Sequence, residues 1–391
     1  MSPFRRWGAL LAFAIGALAR RRGKNIAVVV ALAIVTAAFA SVIALTDALR
    51  SEARREMAQM PDITVSALRG GRPALLDSTA TNDLTRIEGV GAVRPRVWGY
   101  LFVEALSSNL VIVGVPDGRE GLVGNVVTGR APRAGERGWV VLGEGVLRVL
   151  GAREGDGLGL GAPGGPAVDL TVIGAFRSEA ALTTADVALL SEADARRILD
   201  LRQGEATDLA LTLTNPDESS VAARHVSERI PGARVVERRS LVRAYDLTYG
   251  TRGGLVALAL LPALLALLVL AWDRATGLSA EERREVGVLK TVGWSTRDVI
   301  TARMTEAVLV ATVAAIAGGL GAYVYVFVFR APGMMNALLG WSSLYPTFTL
   351  APGTDATSLA TIAACTVAPY IAAAAIPAWR AATLDPAEAM R

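Results

Sequence analysis

The sequence is poor in the residues that do most enzyme chemistry. It holds one cysteine, Cys365, and one histidine, His225, in 391 residues. No disulfide can form within the chain, and Ser-His-Asp, Cys-His and histidine-rich zinc arrangements lose their support. His225 lies in ESSVAARHVSERI, a charged helical stretch without spaced ligands beside it, and reads as a solvated helix residue. Cys365 lies in an apolar run, where packing explains it better than redox chemistry. The pattern G-x-x-x-x-G-K-[ST] is missing, which excludes ATP hydrolysis by that route. GLGAPG at 159–164 satisfies G-x-G-x-x-G, but Pro163 and Pro166 forbid the helix whose first amides would hold a pyrophosphate. A hairpin loop is expected there instead. Carboxylate-only catalysis stays open, although no acidic pair stands out.

Apolar residues are what the chain has in excess, at 52% of the sequence, with a mean hydropathy of +0.41. Four windows of about 20 residues lack Asp, Glu, Lys and Arg, the length that crosses roughly 30 Å of hydrocarbon. They predict spans at 25–46, 253–272, 307–329 and 356–379. Between them lie an N-terminal segment 1–24, a large insert 47–251, a charged segment 273–306, a loop 330–355 and a tail 380–391.

The net charge of +4 does not point to nucleic acid, because the basic residues flank the apolar windows instead of forming one stripe with aromatics. Arg5, Arg6, Arg20, Arg21, Arg22 and Lys24 precede the first window, and Arg274, Arg283, Arg284, Lys290, Arg297 and Arg303 lie between the second and third. Arg380 and Arg391 follow the fourth, while 331–355 carries no basic residue. By the positive-inside rule both termini and 273–306 are expected in the cytoplasm and 47–251 outside. Residues 5–19 also imitate a cleavable signal peptide. The RRRGK that follows is a poor segment to translocate, so a short helix lying in the membrane interface, anchored by Trp7 and arginines, is the preferred expectation.

TDALRSEARREMAQM extends span one as a helical stalk until Pro61. Strands are expected in DITVSA, VWGYLFVEAL, NLVIVGV, WVVL, DLTVIGAF and DLALTLTN, and helices in LSEADARRILDLR and ESSVAARHVSERI, so the insert is a mixed α+β domain. SLVRAYDLTYG forms a second stalk into span two. Span three carries Gly318, Gly319 and Gly321 at spacings that suit close helix packing, either inside the bundle or at a dimer seam. Pro262 and Pro369 are expected kinks.

Between spans two and three, Ala280–Val292 suits a helix with Val286, Leu289 and Val292 on one side. Gly293 stops it, and Ser295-Thr296-Arg297-Asp298 starts the next helix with an acid three residues after the cap. The corner carries Trp294, expected as a docking knob, although a solvated loop that only holds topology would also fit.

REVGVLKTVGWS, running from Arg284 to Ser295, resembles the R-E-I-G-I-L-K-A-L-G-A-S signature after the second span of FtsX-like, MacB-type permeases of mechanotransmission ABC transporters. PAWRAATLDPAEAMR at the end is similar to that family's closing P-A-x-R-A-x-x-x-D-P-x-E-A-L-R, and VVTGRAPRAGERGWVVLGEGVLRVLGAREGD resembles its outer domain. The resemblance covers nearly the whole chain and implies a membrane protein of four helices with a large α+β extracytoplasmic domain between the first two. It implies residence in the bacterial inner membrane, pairing with an identical or homologous second permease, and a separate dimeric ATPase that binds the ATP and magnesium. A periplasmic adaptor or lipoprotein and membrane lipid are further implied partners. Carried over by position, Arg284, Glu285, Gly287, Leu289, Lys290, Gly293 and Trp294 would form the ATPase contact, and Asp385, Pro386 and Glu388 the tail motif. Trp294 departs from the family, which has a small residue there. The expected role is non-catalytic: coupling ATP use to export or extraction of a lipoprotein, lipid, drug or peptide. The alternative is a signalling scaffold that controls a periplasmic cell-wall hydrolase.

Overall fold

The computed structural model describes residues 3–20, 22–58, 60–119, 127–161, 167–176, 184–266, 269, 280–335, 350, 352–353 and 355–383. Contacts gather into two compact units, Met1–Leu49 with Tyr249–Leu338 and Ala351–Arg391, and Arg50–Thr248 with Leu339–Leu350. Four helical stretches are long and apolar enough to cross a membrane: Asn25–Arg55, Arg238–Ala266, Thr296–Val328 and Ala356–Arg380. Each falls on one of the four apolar windows of the sequence.

In the first unit, helix α1 (Pro3–Arg20) precedes the long α2 (Arg22–Met57). Ala14 and Ala17 of α1 are buried while Leu11 and Ile15 are exposed, an apolar face that suits a helix lying in the membrane interface. The bundle core joins Val28 and Leu32 of α2 to Ala307, Val310, Ala311 and Ala314 of the third span. Small residues dominate because, without a hydrophobic drive between spans, close backbone approach supplies the packing. A Cβ on Gly318 would stand 2.7 Å from Ala33 O and 2.8 Å from Thr36 Cβ, whereas one on Gly319 would meet nothing within 4 Å. Gly318 therefore serves packing inside this chain. Replacing Gly318 by Val should destabilise the bundle by about 1–3 kcal/mol through overpacking, and Gly319→Val by far less. Thermal unfolding of the two full-length variants in detergent checks this, and equal melting points would contradict the assignment.

Regular α-helical hydrogen bonding is interrupted near both prolines expected to kink or weaken their helices. Regular helix in the second span breaks at Leu260, two residues before Pro262. In the fourth span α-helical bonding gives way to a π turn at Ala363–Val367, just ahead of Pro369 and around Cys365. The start of this span is pinned: the Asp355 carboxylate accepts from the Ser358 amide at 2.8 Å, and the Ser358 hydroxyl donates to Asp47.

The second unit has two lobes, and the chain visits the first, then the second, then returns. Chain order gives β1 (Ile63–Arg69), β2 (Arg72–Ala74), β3 (Leu76–Asp77), α3 (Ala80–Leu84), β4 (Val90–Arg96), β5 (Trp98–Val103), β6 (Ser108–Val115) and β7 (Val127–Gly129). Then follow β8 (Trp139–Leu142), α4 (Glu144–Leu150), β9 (Gly157–Leu160), β10 (Val168–Phe176), β11 (Val187–Ser191), α5 (Glu192–Ile198) and β12 (Glu205–Ala206). The unit closes with β13 (Asp208–Leu213), α6 (Ser219–Arg229), β14 (Ala233–Glu237) and α7 (Arg238–Ala259), the helix that leads into the second span.

The first lobe is an antiparallel sheet in the order β14-β1-β13-β4, with β2 folded back on β1. Period-two alternation puts Ile63, Val65, Leu209, Leu211 and Leu213 on one face against Ala222 and Val226 of α6. The second lobe is a mixed sheet in the order β5-β6-β11-β8-β10-β7, with β9 paired to β10. Its central β8 is buried on both faces, which explains why WVVL reads as a continuous apolar run. Gly159 and Leu160 lie in β9, antiparallel to β10 as a hairpin requires, and residues 162–166 of the expected loop lie outside the described residues. In this lobe Arg130, with help from the Arg133 amide, holds the Glu136 carboxyl down to about 2.

The chain crosses between the lobes at 96–98 and returns between α5 and β12, and one network ties the outward crossing to residues 207–208 just after the return. Arg96 donates to both oxygens of Asp208 at 2.6 and 2.7 Å, and the Trp98 indole donates to the same carboxylate at 2.8 Å. The Thr207 hydroxyl donates to Trp98 O at 2.6 Å. The ends of the two stalks are joined as well, by Arg54 with Asp246 and Arg238 with Asp62, each at 2.9 Å.

Candidate functional site

Helix α8 (Ala280–Thr291) ends at a corner that needs positive φ, and Gly293 supplies it at +100°. The Gly293 amide donates to Lys290 O and the Trp294 amide to Leu289 O, both at 3.0 Å, which satisfies carbonyls the helix end leaves open. Ser295 then caps α9 (Thr296–Tyr323): its hydroxyl accepts from the Asp298 amide at 3.2 Å, and the Asp298 carboxylate accepts from the Ser295 amide at 3.1 Å. Helix, glycine stop, tryptophan and capping box follow one another as the spacing of residues implies.

One side of this elbow is fastened to its own chain. Val286 and Val299 pack with Ala382 of α10 (Ala368–Thr383), and Trp294 and Ile300 lie against them. Phe13 of α1 meets Trp294 with ring centroids 5.1 Å apart. Arg20 reaches Glu285 at 2.8 Å and stands 6.0 Å from the Phe13 ring. Gly287 is buried on the same side, and Leu289 and Lys290 are half-buried.

The other side is open. Arg284 is exposed, and Val288 and Val292 are 54% and 74% exposed, one above another at four-residue steps. Two sequence expectations change here. Val292 does not share a side with Val286, because α8 ends at Thr291 and Val292 turns outward into the corner. Trp294 is half-buried against Phe13, so it is not the free-standing knob its position suggested. The exposed Val288–Val292 pair was missed, since hydropathy alone marks both as core. Asp385, Pro386 and Glu388 lie outside the described residues. No cluster of three or more His, Cys, Asp or Glu that could hold a metal occurs among the described residues.

A family model for the MacB-like periplasmic core domain matches residues 26–229, and one for the FtsX-like permease C-terminal region matches 256–386. The chain belongs to the FtsX/MacB-type ABC transporter permeases. Among solved structures, this permease is similar to the extracellular domain of the noncanonic ABC-type transporter YknZ from Gram-positive bacteria. That match has 12% identity and a TM-score of 0.31, and covers 45% of this chain and 99% of that one. The periplasmic region of MacB from Actinobacillus actinomycetemcomitans matches at 12% identity with a TM-score of 0.32, covering 47% of this chain and 92% of that one. No curated protein sequence matches significantly. An FtsX/MacB-type permease is a multi-pass protein of the bacterial inner membrane, in a family that is generally non-catalytic and works with an ATPase partner.

Proposed function

We propose that this permease carries movement from a separate ATPase, docked on the elbow, through α2 and α7 to the inserted domain, and so drives export or extraction of a substrate. ATP and magnesium bind to the ATPase subunit. Two permease chains, identical or homologous, form the working unit, with both termini and the elbow in the cytoplasm. The observation that carries this reading is the two-sidedness of the elbow: Glu285, Val286 and Trp294 anchor one face to the bundle, while Arg284, Val288 and Val292 leave the other for a partner. Binding that differs between the ATPase states can then move the bundle, because the docking helix cannot slide independently of it. Helix α2 runs unbroken from Arg22 to Met57, so span and stalk are one rod.

Compartment and partner are testable together. With Cys365→Ala as background, a cysteine placed at exposed Val292 should react with impermeant reagent only after the cell membrane is opened, and one at exposed Thr85 should react in intact spheroplasts. An ATPase subunit should co-purify with the full chain. Labelling of both positions from the same side would refute the reading.

A further inference from the structure

Within the inserted domain a cleft of about 590 Å³ lies between the two lobes, inside the ~300–1,000 Å³ range of small-ligand sites. One wall is the first sheet's face turned away from its leucine core. There β13 presents Ala210 and Thr212 while its Leu209, Leu211 and Leu213 point the other way, and the paired edge strand β4 adds Arg94 and Arg96. The second lobe contributes Pro116 and Arg119 beyond β6 and Glu192 at the start of α5. Met60, Pro61, Asp62 and Arg238 close the cleft at the ends of the two stalks.

Among the described residues the charges lining this cleft do not cancel. Arg238 is paired with Asp62 at 2.9 Å, Arg96 with Asp208 at 2.6 Å and Glu192 with Arg196 at 2.7 Å. Arg94 and Arg119 have no ion-pair partner among the described residues. Two unmatched guanidinium groups in a concave site attract an anion and offer it forked, charge-assisted hydrogen bonds. The surfaces beside them are Met60, Pro61 and Pro116, which present apolar area and little to hydrogen-bond with.

We propose that the cleft binds an amphiphile with an anionic phosphate head, the phosphate meeting Arg94 and Arg119 and the apolar part lying on Met60, Pro61 and Pro116. The proposal goes beyond the function proposed above. Binding is measured without any ATPase, so its failure would leave that function standing.

The test uses the full chain in a neutral detergent and short-chain lysophosphatidylglycerol as probe, with occupancy read by native mass spectrometry. One probe molecule should bind per chain, and Arg94→Gln with Arg119→Gln should weaken it at least about tenfold, while Arg94→Lys with Arg119→Lys retains most of the affinity. Zwitterionic lysophosphatidylcholine should bind wild type at least about tenfold more weakly. Repeating the measurement from nanodiscs containing phosphatidylglycerol separates the sources: occupancy without added probe identifies a bilayer lipid, and occupancy only with probe identifies a soluble amphiphile. Equal affinity for the two lysolipids overturns the proposal, as does displacement of the probe by equimolar inorganic phosphate. The lysolipid comparison needs no variant and stands even where a substitution disturbs folding.

Discussion

Replacing Arg96 with Met is expected to destabilise the inserted domain by about 2–3 kcal/mol, less than for a fully buried ion pair because the Arg96 side chain is 40% exposed while Asp208 is buried. Asp208 is 2% exposed and accepts two hydrogen bonds from Arg96 and one from Trp98. Without Arg96 the carboxylate stays buried with the indole N–H as its remaining donor from this network. The Arg54–Asp246 pair makes the contrast, because its side chains are 60% and 28% exposed. Arg54→Met should therefore change stability by less than about 1 kcal/mol. Changing both partners, Arg96→Met with Asp208→Leu, should recover much of the loss, since no uncompensated charge remains. Hydrogen exchange on the full chain reads this directly: amides of β4 and β13 should lose protection in the Arg96 variant, and the double variant should regain it. Equal protection in the Arg96 and Arg54 variants would show that the network does not hold the outward crossing.

The sequence was most readable where local rules decide the outcome. The apolar windows, the Gly293 stop, the Ser295–Asp298 capping box and strands such as β1, β6 and β10 each follow from residues within a few positions of one another. It was least readable where partners lie far apart. VGAVRPR looks unlike a strand because it carries Pro95, yet β4 is an edge strand, where a missing amide is tolerated. LSEADARRILDLR reads as one helix from Leu190, but Leu190 and Ser191 end β11, and Ser191 caps α5 by accepting from the Asp194 amide. At the elbow, composition marked Trp294 as special without revealing Phe13 as its partner. Arg20 and Glu285, which meet beside it, are 265 positions apart. Nothing in a single sequence joins such pairs, and the same gap hid the exposure of Val288.

Val288→Asp is expected to weaken ATPase association at least about thirtyfold while insertion and folding stay intact. Val288 is 54% exposed, so the change removes no core, and exposed substitutions usually shift stability by no more than about 0.5 kcal/mol. A carboxylate buried unpaired at a docked interface is a different matter, at about 2 kcal/mol or more, roughly thirtyfold in affinity. Trp294→Ala should behave otherwise: losing the tilted ring contact with Phe13 and the packing on Val286 and Val299 loosens the elbow itself. It should lower stability by about 1–3 kcal/mol and weaken coupling together. Val221→Asp, on an exposed position of α6 in the inserted domain, is the control that should leave association unchanged. The readouts are the amount of ATPase retained by the full chain, its rate of ATP hydrolysis, and exchange protection along α9. If Val288→Asp keeps full association, the exposed stripe is not the docking face. Loss in Trp294→Ala alone would then mean that the elbow works through its rigidity and that the ATPase contact lies elsewhere.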